Sequence, residues 1–291
     1  MKHQRDIWSQ WLLEHRFGGN IEQMKTAMTR LYRIRDQILE YADLRDNNIL
    51  LDVGCGDGLI GFGALQRSNT VQVIFSDISK DLLERVRERA REMGLLHRCR
   101  FLHAAAENLH PLADESVDVV TTRSVLIYVK AKQQAFHEFY RVLKPGGRAS
   151  LFEPINRFRY PEPPEMFWGY DVAPVMEIAQ KIKAAYRRLQ PPEEDPMLDF
   201  DERDLISFAE RAGFRDIHLK LEIEVKPKDH QISWDTLMKI APNPRVPTLG
   251  AVMQEVLSPA ERERFTAHLK PLVEANQGIT RSAIAYLRAL K

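Results

Sequence analysis

The chain has 291 residues, of which 44% are hydrophobic and 29% are charged. These values are typical of a soluble globular protein, and the length is sufficient for one α/β domain with insertions. The formal net charge of +1 gives no reason to expect a nucleic acid or an anionic membrane as a partner, and two cysteines, Cys55 and Cys99, cannot form a disulfide framework.

The first residues, MKHQRDIWSQW, are charged and lack the apolar stretch of a signal peptide, so we expect none. No apolar run approaches the ~20 residues that a membrane span requires. We therefore expect a cytoplasmic protein that does not bind a membrane.

Two helices are predicted in residues 1–45, which we interpret as an N-terminal helical cap. The first places its apolar residues on one face and ends at the glycine pair 18–19. The second begins near Asn20, a good N-cap residue, and repeats apolar side chains at spacings of three and four.

Short apolar runs alternate with helical patterns over residues 46–153. The runs typical of buried strands are NILLDV (48–53), VQVIFS (71–76), RFLH (100–103), VDVVTT (117–122) and RASLFE (148–153). A helix capped by Ser79 follows the second run, and another over about 131–143 precedes the fifth. This alternation predicts an α/β fold with a doubly wound, mostly parallel sheet.

The pattern changes after residue 153. Residues 154–200 are rich in proline and aromatic side chains and contain one amphipathic helix. We interpret this segment as a helical cap inserted over the substrate, and residues 201–291 as the completion of the core with added helices.

Three features define the elements of that C-terminal part. A helix is predicted from Asp201 to Gly213, and Ser258 begins a capping box for another. The alternating run DIHLKLEIEV (216–225) is typical of an antiparallel edge strand. The last apolar run, ITRSAIAYLRAL, is compatible with a helix or a final strand, and we favour the strand.

The stretch LLDVGCGDGLIG (50–61) places three glycines directly after the first buried strand. Glycine there lets the backbone approach a ligand, and the following helix offers its free N-terminal amides. A tight turn without a ligand is the alternative. Asp77 ends the second strand, where doubly wound folds place a carboxylate that accepts hydrogen bonds from ribose hydroxyls. It can equally cap the helix that starts near Ser79.

A nicotinamide cofactor and S-adenosylmethionine (SAM) both fit this pattern. Asp52, at the strand end before the first glycine, distinguishes between these two cofactors. A pyrophosphate gains nothing from an added anion, whereas the sulfonium and ammonium groups of SAM are stabilised by one. An aspartate that binds backbone N–H groups at the strand end is the alternative.

Five segments occur in order, namely LLDVGCGDG, Asp77, AAAENL, VDVVTTRSVLIYV and RVLKPGGR. Together they resemble the class I SAM-dependent methyltransferases, most closely the branch that methylates small molecules. The resemblance is strong over about residues 48–153 and weak elsewhere. It implies a Rossmann-like, seven-stranded sheet, SAM as the methyl donor with S-adenosylhomocysteine as its product, and a role in secondary metabolism.

The resemblance also implies which residues bind SAM. It assigns the methionine part and the ribose to the glycine turn, at Asp52, Gly54, Gly56 and Asp57. It assigns the ribose hydroxyls to Asp77, which ends the second strand, and the adenine ring to the next residue, Ile78. It also assigns a contact with the methionine moiety to the end of the fourth strand, at Arg123 and Ser124.

One position departs from the family pattern. Relatives commonly have an aspartate after the third strand that binds the adenine amino group, but Ala105 occupies the aligned position here. We assign that role to the backbone of Ala106 and to Glu107, with Asn108 or a water molecule as alternatives. Glu107 can instead be a surface cap.

Methyl transfer from a sulfonium is an in-line displacement that needs alignment, exclusion of water and sometimes a base. We select Glu153, Tyr128 and His137 as candidate catalytic residues because they follow strands four and five. A pairing of Glu153 with an arginine and a surface position for His137 are the alternatives. The nine histidines show no metal-binding spacing, so we expect no metal.

Aromatic residues in the added segments are the candidate walls of a lidded substrate pocket for a small organic acceptor. The selected residues are Trp168, Tyr170, Phe158, Tyr160 and Trp11. Packing of the added helices onto the sheet is the alternative, favoured for Trp8 and Trp11 by their helical spacing. The loop APNPRVPTLG (241–250) can also close over a ligand.

Two functions from different classes remain open. The first is a methyltransferase that acts on a small molecule, and the second is a SAM-binding partner or regulator that does not methylate. The arginine-rich run RVRERAREMG interleaves glutamates at helical spacing, which indicates a solvated helix face rather than a nucleic-acid site. The sequence leaves the oligomeric state and the methylated atom open.

Overall fold

A seven-stranded sheet forms the centre of the computed structural model, which describes residues 5–291 apart from the side chains at 21–23 and 26. Its strands are β1 (Ile49–Val53), β2 (Gln72–Asp77), β3 (Cys99–His103), β4 (Val117–Arg123), β5 (Leu143–Pro154), β8 (Arg215–Pro227) and β9 (Ile279–Leu290). The remaining strands, β6 (Met166–Phe167) and β7 (Tyr170–Asp171), form a separate short ribbon.

The strand order in the large sheet is β3-β2-β1-β4-β5-β9-β8. The first five strands of the chain are parallel, and β9 is antiparallel to both of its neighbours. The predicted doubly wound, mostly parallel, Rossmann-like sheet of seven strands is therefore confirmed. The final apolar run forms a strand, as favoured, because its alternate residues are buried against β5.

Helices cover both faces of the sheet. The helices are α1 (Ile7–Gln10), α2 (Ile21–Ala42), α3 (Leu59–Arg67), α4 (Lys80–Glu92), α5 (Lys132–Val142), α6 (Met176–Leu189), α7 (Glu202–Ala212), α8 (Trp234–Lys239), α9 (Leu249–Val256) and α10 (Pro259–Glu274). One apolar layer lies between the sheet and α2, α3 and α4, and a second lies between the sheet and α5 and α7.

Helix ends follow the predicted caps. The Ser79 side chain accepts a hydrogen bond from the N–H of Leu82 at the start of α4. Asp201 and Ser258 form capping boxes for α7 and α10, and Gly213 ends α7 in the left-handed conformation. These local signals appear in the structure because a cap satisfies backbone groups that the helix itself leaves free.

The N-terminal helix differs in one respect from the expected regular helix. Residues Trp11–His15 continue α1 as a π-helical turn. Such turns redirect side chains and are frequent at functional sites.

A third apolar cluster lies apart from the sheet. It joins the β6–β7 ribbon to α6, α8, α9 and α10, and its buried aromatic members are Phe167, Tyr170, Trp234 and Phe265. The segment predicted as a substrate cap thus has its own core, which it shares with the C-terminal helices.

Candidate active site

A cavity of about 290 Å³ opens at the carboxyl ends of β1, β2 and β4, where doubly wound sheets bind ligands. The N-terminal segment and the 241–248 loop contribute to its outer wall. The residues that line it include Trp8, Trp11, Leu12, Arg16, Gly54, Gly56, Asp77, Ile78, Ala105, Ala106, Glu107, Arg123, Ser124, Val125, Tyr128 and Arg245.

The glycine turn forms the floor of this cavity. Gly54 and Gly56 have φ angles of 63° and 56°, a region that side chains with a Cβ rarely adopt. A Cβ on Gly54 would lie 2.4 Å from Cγ2 of Val125, which also lines the cavity. The turn therefore requires glycine both for its conformation and for the close approach of the loop after β4.

Asp77 lies beside the turn. Its carboxylate accepts hydrogen bonds from the backbone N–H groups of Gly56 and Ser79, each at 2.9 Å. The side chain is buried, and this burial raises its pKa. The two readings of Asp77 thus coincide, because one residue both fixes the start of α4 and presents oxygen atoms at the cavity.

Asp52 occupies a different place from the one that the resemblance implies. It is buried behind the turn and does not line the cavity. Its carboxylate accepts hydrogen bonds from the N–H of Gly61 at 3.0 Å and from Oγ1 of Thr121 at 3.3 Å. Burial raises its pKa to about 7. In this structure Asp52 ties β1 to α3 and β4, as its backbone-bonded alternative anticipated.

Asp57 lies in the same turn but does not line the cavity. Its Oδ1 is buried and has no hydrogen-bond partner within residues 5–291. A buried carboxylate oxygen without a donor is costly, so this atom marks a position where a ligand donor would be stabilising.

The side of the cavity opposite the turn comes from the segment that follows residue 5. Asp6 caps α1 and accepts a hydrogen bond from the hydroxyl of Ser79 at 2.6 Å. Trp11 donates from Nε1 to the carbonyl of Ala241 at 3.0 Å, and the Trp8 ring meets the Tyr128 ring edge-on at 4.9 Å. The segment is thereby held at both ends of its helical turn.

The three candidate catalytic residues occupy three different environments. Tyr128 lines the cavity, and burial raises the pKa of its phenol to about 12. His137 is exposed on α5, where its Nε2 lies 3.3 Å from Nε2 of Gln133, and it is absent from the cavity lining. The structure therefore does not bring His137 to the site and places it on the helix surface.

Glu153 is also absent from the cavity lining and is 1% exposed. Its Oε1 accepts hydrogen bonds from the N–H groups of Val125 and Leu126 at 3.0 and 3.1 Å, and Oε2 accepts one from Ile127 at 3.4 Å. Burial raises its pKa to about 7. The structure shows Glu153 fixing the loop after β4 from behind, and among residues 5–291 it forms no ion pair with an arginine.

The end of β4 reaches the cavity as predicted. Arg123 and Ser124 line it, and Ser124 has a φ angle of 58°, which is uncommon for a residue with a Cβ. The N–H of Ser124 donates to the carbonyl of Phe152 at 2.8 Å. Ile78, Ala106 and Glu107 line the cavity as well, beside Ala105.

Four of the five aromatic residues selected for a substrate pocket do not line the cavity. Tyr170 is buried in the third apolar cluster, and Trp168 packs beside it with its ring stacked on Phe167 at 5.3 Å. Phe158 packs against the core and Tyr160 is exposed. The structure brings these side chains to packing positions because the inserted segment has a core of its own, and of the five only Trp11 lines the cavity.

Sequence reasoning missed Leu12, Arg16 and Arg245, and it favoured packing for Trp8. All four line the cavity. The helical spacing of Trp8, Trp11 and Leu12 indicated one apolar face, but nothing local showed whether that face met the sheet or a cavity.

The described part of the chain holds no cluster of three or more His, Cys, Asp or Glu side chains that could bind a metal. Among its helices, none combines the length and apolarity needed to cross a membrane.

Known proteins resemble this chain in sequence and in structure. Residues 51–151 match the sequence profile of the methyltransferase domain family Methyltransf_11. The ubiquinone/menaquinone biosynthesis C-methyltransferase UbiE of Rickettsia prowazekii is 27% identical over 229 residues, which are 72% of this chain and 88% of that protein.

Two solved structures share the fold. The [4+2]-cyclase SpnF has a TM-score of 0.52 at 24% identity, with 89% of this chain and 80% of SpnF covered. Phosphoethanolamine N-methyltransferase 2 of Haemonchus contortus, solved in complex with SAM, has a TM-score of 0.51 at 16% identity, with 98% of this chain and 56% of that chain covered.

The sheet order, the glycine turn at its switch point and these matches define one class. The chain is a class I SAM-dependent methyltransferase. Over most of its length it is similar to the C-methyltransferases named UbiE.

Proposed function

We propose that the cavity above the glycine turn binds SAM and that the enzyme transfers its methyl group to a small organic acceptor held under the N-terminal segment. The observation that carries this proposal is the contact between Gly56 and Asp77 on the cavity floor. It combines a backbone that admits close approach with a carboxylate placed for ribose hydroxyls.

The residues present fit SAM. Asp77 would accept from the ribose hydroxyls, with Ile78 beside the adenine ring, and Ala106 and Glu107 would meet the adenine amino group. Arg123 would pair with the methionine carboxylate next to Ser124. Asp57 does not line the cavity, so we assign it no direct contact with SAM.

Bound SAM supplies a methyl group that is already activated by the sulfonium, so the protein needs to align and to exclude water. Trp8, Trp11 and Leu12 are the side chains that would keep water from the reacting centre. Tyr128, with its pKa of about 12, stays protonated at neutral pH and can donate a hydrogen bond to the acceptor. Glu153 would act as a positioning residue that holds the β4 loop, not as a base.

The size of the cavity, about 290 Å³, favours a small acceptor over a nucleic acid. The Rickettsia relative is named a C-methyltransferase, so carbon is the first atom of the acceptor to examine as the site of methylation. We further propose that the reaction belongs to secondary metabolism in the cytoplasm and needs neither a metal nor a membrane.

The test uses SAM that carries a heavy methyl group. The purified protein is incubated with it and a metabolite extract of the source organism, and labelled products are sought by mass spectrometry. A labelled small molecule is expected. Label on protein or RNA would contradict the proposed acceptor class. Tight binding of S-adenosylhomocysteine without any label would favour the SAM-binding partner that does not methylate.

A further inference from the structure

Three arginines line the cavity, which is more than the proposed methyl donor requires. Arg16 comes from the N-terminal segment, Arg123 from the end of β4 and Arg245 from the 241–248 loop. SAM carries a single carboxylate, which Arg123 would pair with. The other two guanidinium groups therefore need a different explanation.

None of the three arginines forms an ion pair with a carboxylate in the region that the structure covers, residues 5–291. The Arg16 guanidinium lies over the rings of Trp11 and Phe17, at 5.6 and 5.1 Å from their centroids. Arg245 donates to the carbonyl of Tyr128 at 3.1 Å. These contacts hold the Arg16 and Arg245 side chains in place. The carboxylates of Asp57 and Asp52 act electrostatically on Arg16 and Arg123, without a direct ion pair among residues 5–291, and Arg245 lacks such a partner there.

The three positive charges surround one group. All of them act electrostatically on the phenol of Tyr128. Burial, and after it the positive charge of Arg123, lowers the pKa of Arg16 to about 10, while Asp57 acts in the opposite direction. A cavity with clustered, unpaired guanidinium groups strongly favours an anion, and arginine matches the planar, two-oxygen geometry of a carboxylate.

We infer that the acceptor is a small organic acid, whose carboxylate is bound by Arg16 and Arg245 beside the Tyr128 hydroxyl and whose apolar body packs against Trp8 and Trp11. This inference rests on the proposed methyl transfer. It assigns the acceptor class by charge and leaves the SAM site as described above.

The test separates the metabolite extract on an anion-exchange resin before incubation with heavy-methyl SAM. We expect label in products from the retained, acidic fraction. Label in products from the unretained fraction would overturn the inference, although methyl transfer itself would stand. Absence of label from both fractions would overturn the proposed function, and this inference with it.

A variant at Arg16 tests whether this side chain binds the carboxylate of the acceptor. Arg16→Gln is expected to lower product formation from the acidic fraction at least tenfold while the affinity for S-adenosylhomocysteine changes less than twofold. Arg85→Gln, on the exposed face of α4, is the matched control and should change neither. A loss of S-adenosylhomocysteine affinity in Arg16→Gln would assign Arg16 to the methionine carboxylate and contradict the inference.

An independent observation concerns the outer strand β8. It pairs with β9 on one side and ends the sheet on the other. Long edge strands with apolar residues pair readily with other chains unless charge or a bulge prevents it. Leu221, Ile223 and Val225 on this strand are 36%, 53% and 54% exposed.

The two faces of β8 differ in chemistry. The pairing of β8 with β9 is irregular between Arg215 and His218, where Asp216 has a φ angle of 46°. In the regular part that follows, one face carries the apolar residues Leu219, Leu221, Ile223 and Val225. The other face carries the polar residues His218, Lys220, Glu222, Glu224 and Lys226. Pairing with a second strand is favourable only if it keeps each face together and sets opposite charges against each other.

The antiparallel register centred on Leu221 meets both conditions over the regular part of β8. With Leu221 opposite its own copy, Lys220 faces Glu222 and His218 faces Glu224. On the other face Leu219 then meets Ile223. Centring on Lys220, Glu222, Ile223 or Glu224 instead sets like charges opposite each other.

We further infer that two copies of the chain associate through β8 in the register centred on Leu221, which joins their sheets into one. The surface lies outside the cavity, so this inference does not depend on the proposed function. Lys220 already pairs with Glu222 within its own strand at 2.7 Å, and both side chains are substantially exposed.

Sedimentation equilibrium of the whole chain tests the dimer. We expect a dimer for the wild type, a shift toward monomer for Lys220→Glu and for Glu222→Lys, and recovery of the dimer in the double variant with the charges exchanged. Arg85→Glu on α4 is the control and should leave the dimer intact. A monomer for the wild type, or single variants that associate as the wild type does, would overturn the inference.

Discussion

The carboxylate of Asp77 accepts a hydrogen bond from the backbone N–H of Gly56 at 2.9 Å. This contact joins the end of β2 to the glycine turn after β1, so the two features that the sequence placed on neighbouring strands meet on one cavity floor. It also fixes the carboxylate orientation before any ligand arrives, which lowers the entropy cost of binding.

The glycine turn should not tolerate a side chain at Gly54. In Gly54→Ala the new Cβ would meet Val125, whose N–H is held by Glu153 and whose loop therefore cannot retreat freely. The left-handed conformation that alanine would have to adopt there destabilises the folded state by a further ~1–2 kcal/mol. We expect a lower free energy of unfolding and at least a tenfold loss of S-adenosylhomocysteine affinity, measured by urea unfolding and calorimetry.

Gly146→Ala is the matched control for that variant. Gly146 has a φ angle of 77°, but a Cβ there meets nothing within 4 Å. It carries the conformational cost without the clash, so it should leave ligand affinity unchanged. Equal affinity losses in the two variants would show that the contact with Val125 has no role.

Glu153 should make the folded protein less stable as the pH rises from about 4.5 to about 7. Its pKa is raised by burial from the ordinary value of 4.5 to about 7. Over this window the folded state keeps a proton that the unfolded state has lost, so the free energy of unfolding falls with increasing pH. Glu153→Gln removes this contribution. Urea unfolding should therefore show a smaller decrease in the free energy of unfolding between pH 5 and pH 7.5 than in the wild type.

Asp52, whose pKa is also raised to about 7, retains its own part of the effect in that variant. An unchanged decrease between the two pH values in Glu153→Gln would contradict the buried, proton-holding state of Glu153. Turnover in the same variant should keep the shape of its pH profile, because a positioning residue carries no proton in the reaction.

Tryptophan fluorescence should report ligand binding through two of the four tryptophans. Trp8 and Trp11 line the cavity, whereas Trp168 and Trp234 lie in the third apolar cluster. Titration with S-adenosylhomocysteine should change the emission of the wild type and of Trp168→Phe. The change should be lost in the double variant Trp8→Phe and Trp11→Phe, and a response that survives there would place the ligand elsewhere.

Tyr170 should contribute to stability and not to ligand binding. The ring is fully buried, so Tyr170→Ala is expected to lower the free energy of unfolding by ~3–5 kcal/mol. Its hydroxyl is buried without a hydrogen-bond partner in the described structure, so Tyr170→Phe should be neutral or stabilising. Both folded variants should bind S-adenosylhomocysteine as the wild type does, and a weaker affinity would return Tyr170 to the site.

The sequence predicted the sheet and the floor of the cavity because these depend on local signals. Buried apolar runs, helix caps and glycines after a strand each act within a few residues, and the strand ends of a parallel sheet meet at one edge. The position of Asp77 at the cavity follows from this geometry, and the resemblance to the methyltransferases added Arg123 and Ser124 at the end of β4.

The outer wall of the cavity could not be predicted in the same way. Trp11 and Ala241 are joined by a hydrogen bond although 230 residues separate them in the chain. Arg16 and Arg245 reach the cavity through this long-range contact. Trp168 and Tyr170 were misplaced for the converse reason, since the helices that bury them follow far along the sequence.

The most direct measurement of the central claim is the affinity for S-adenosylhomocysteine of the wild type, Asp77→Ala and Asp77→Asn, by isothermal titration calorimetry, with folding checked by thermal unfolding. Asp235→Ala, at an exposed position on α8, is the control. We predict tight binding by the wild type and the control, and at least a tenfold loss, about 1.4 kcal/mol, in both folded Asp77 variants. Wild-type affinity in these variants would contradict the placement of SAM above the glycine turn.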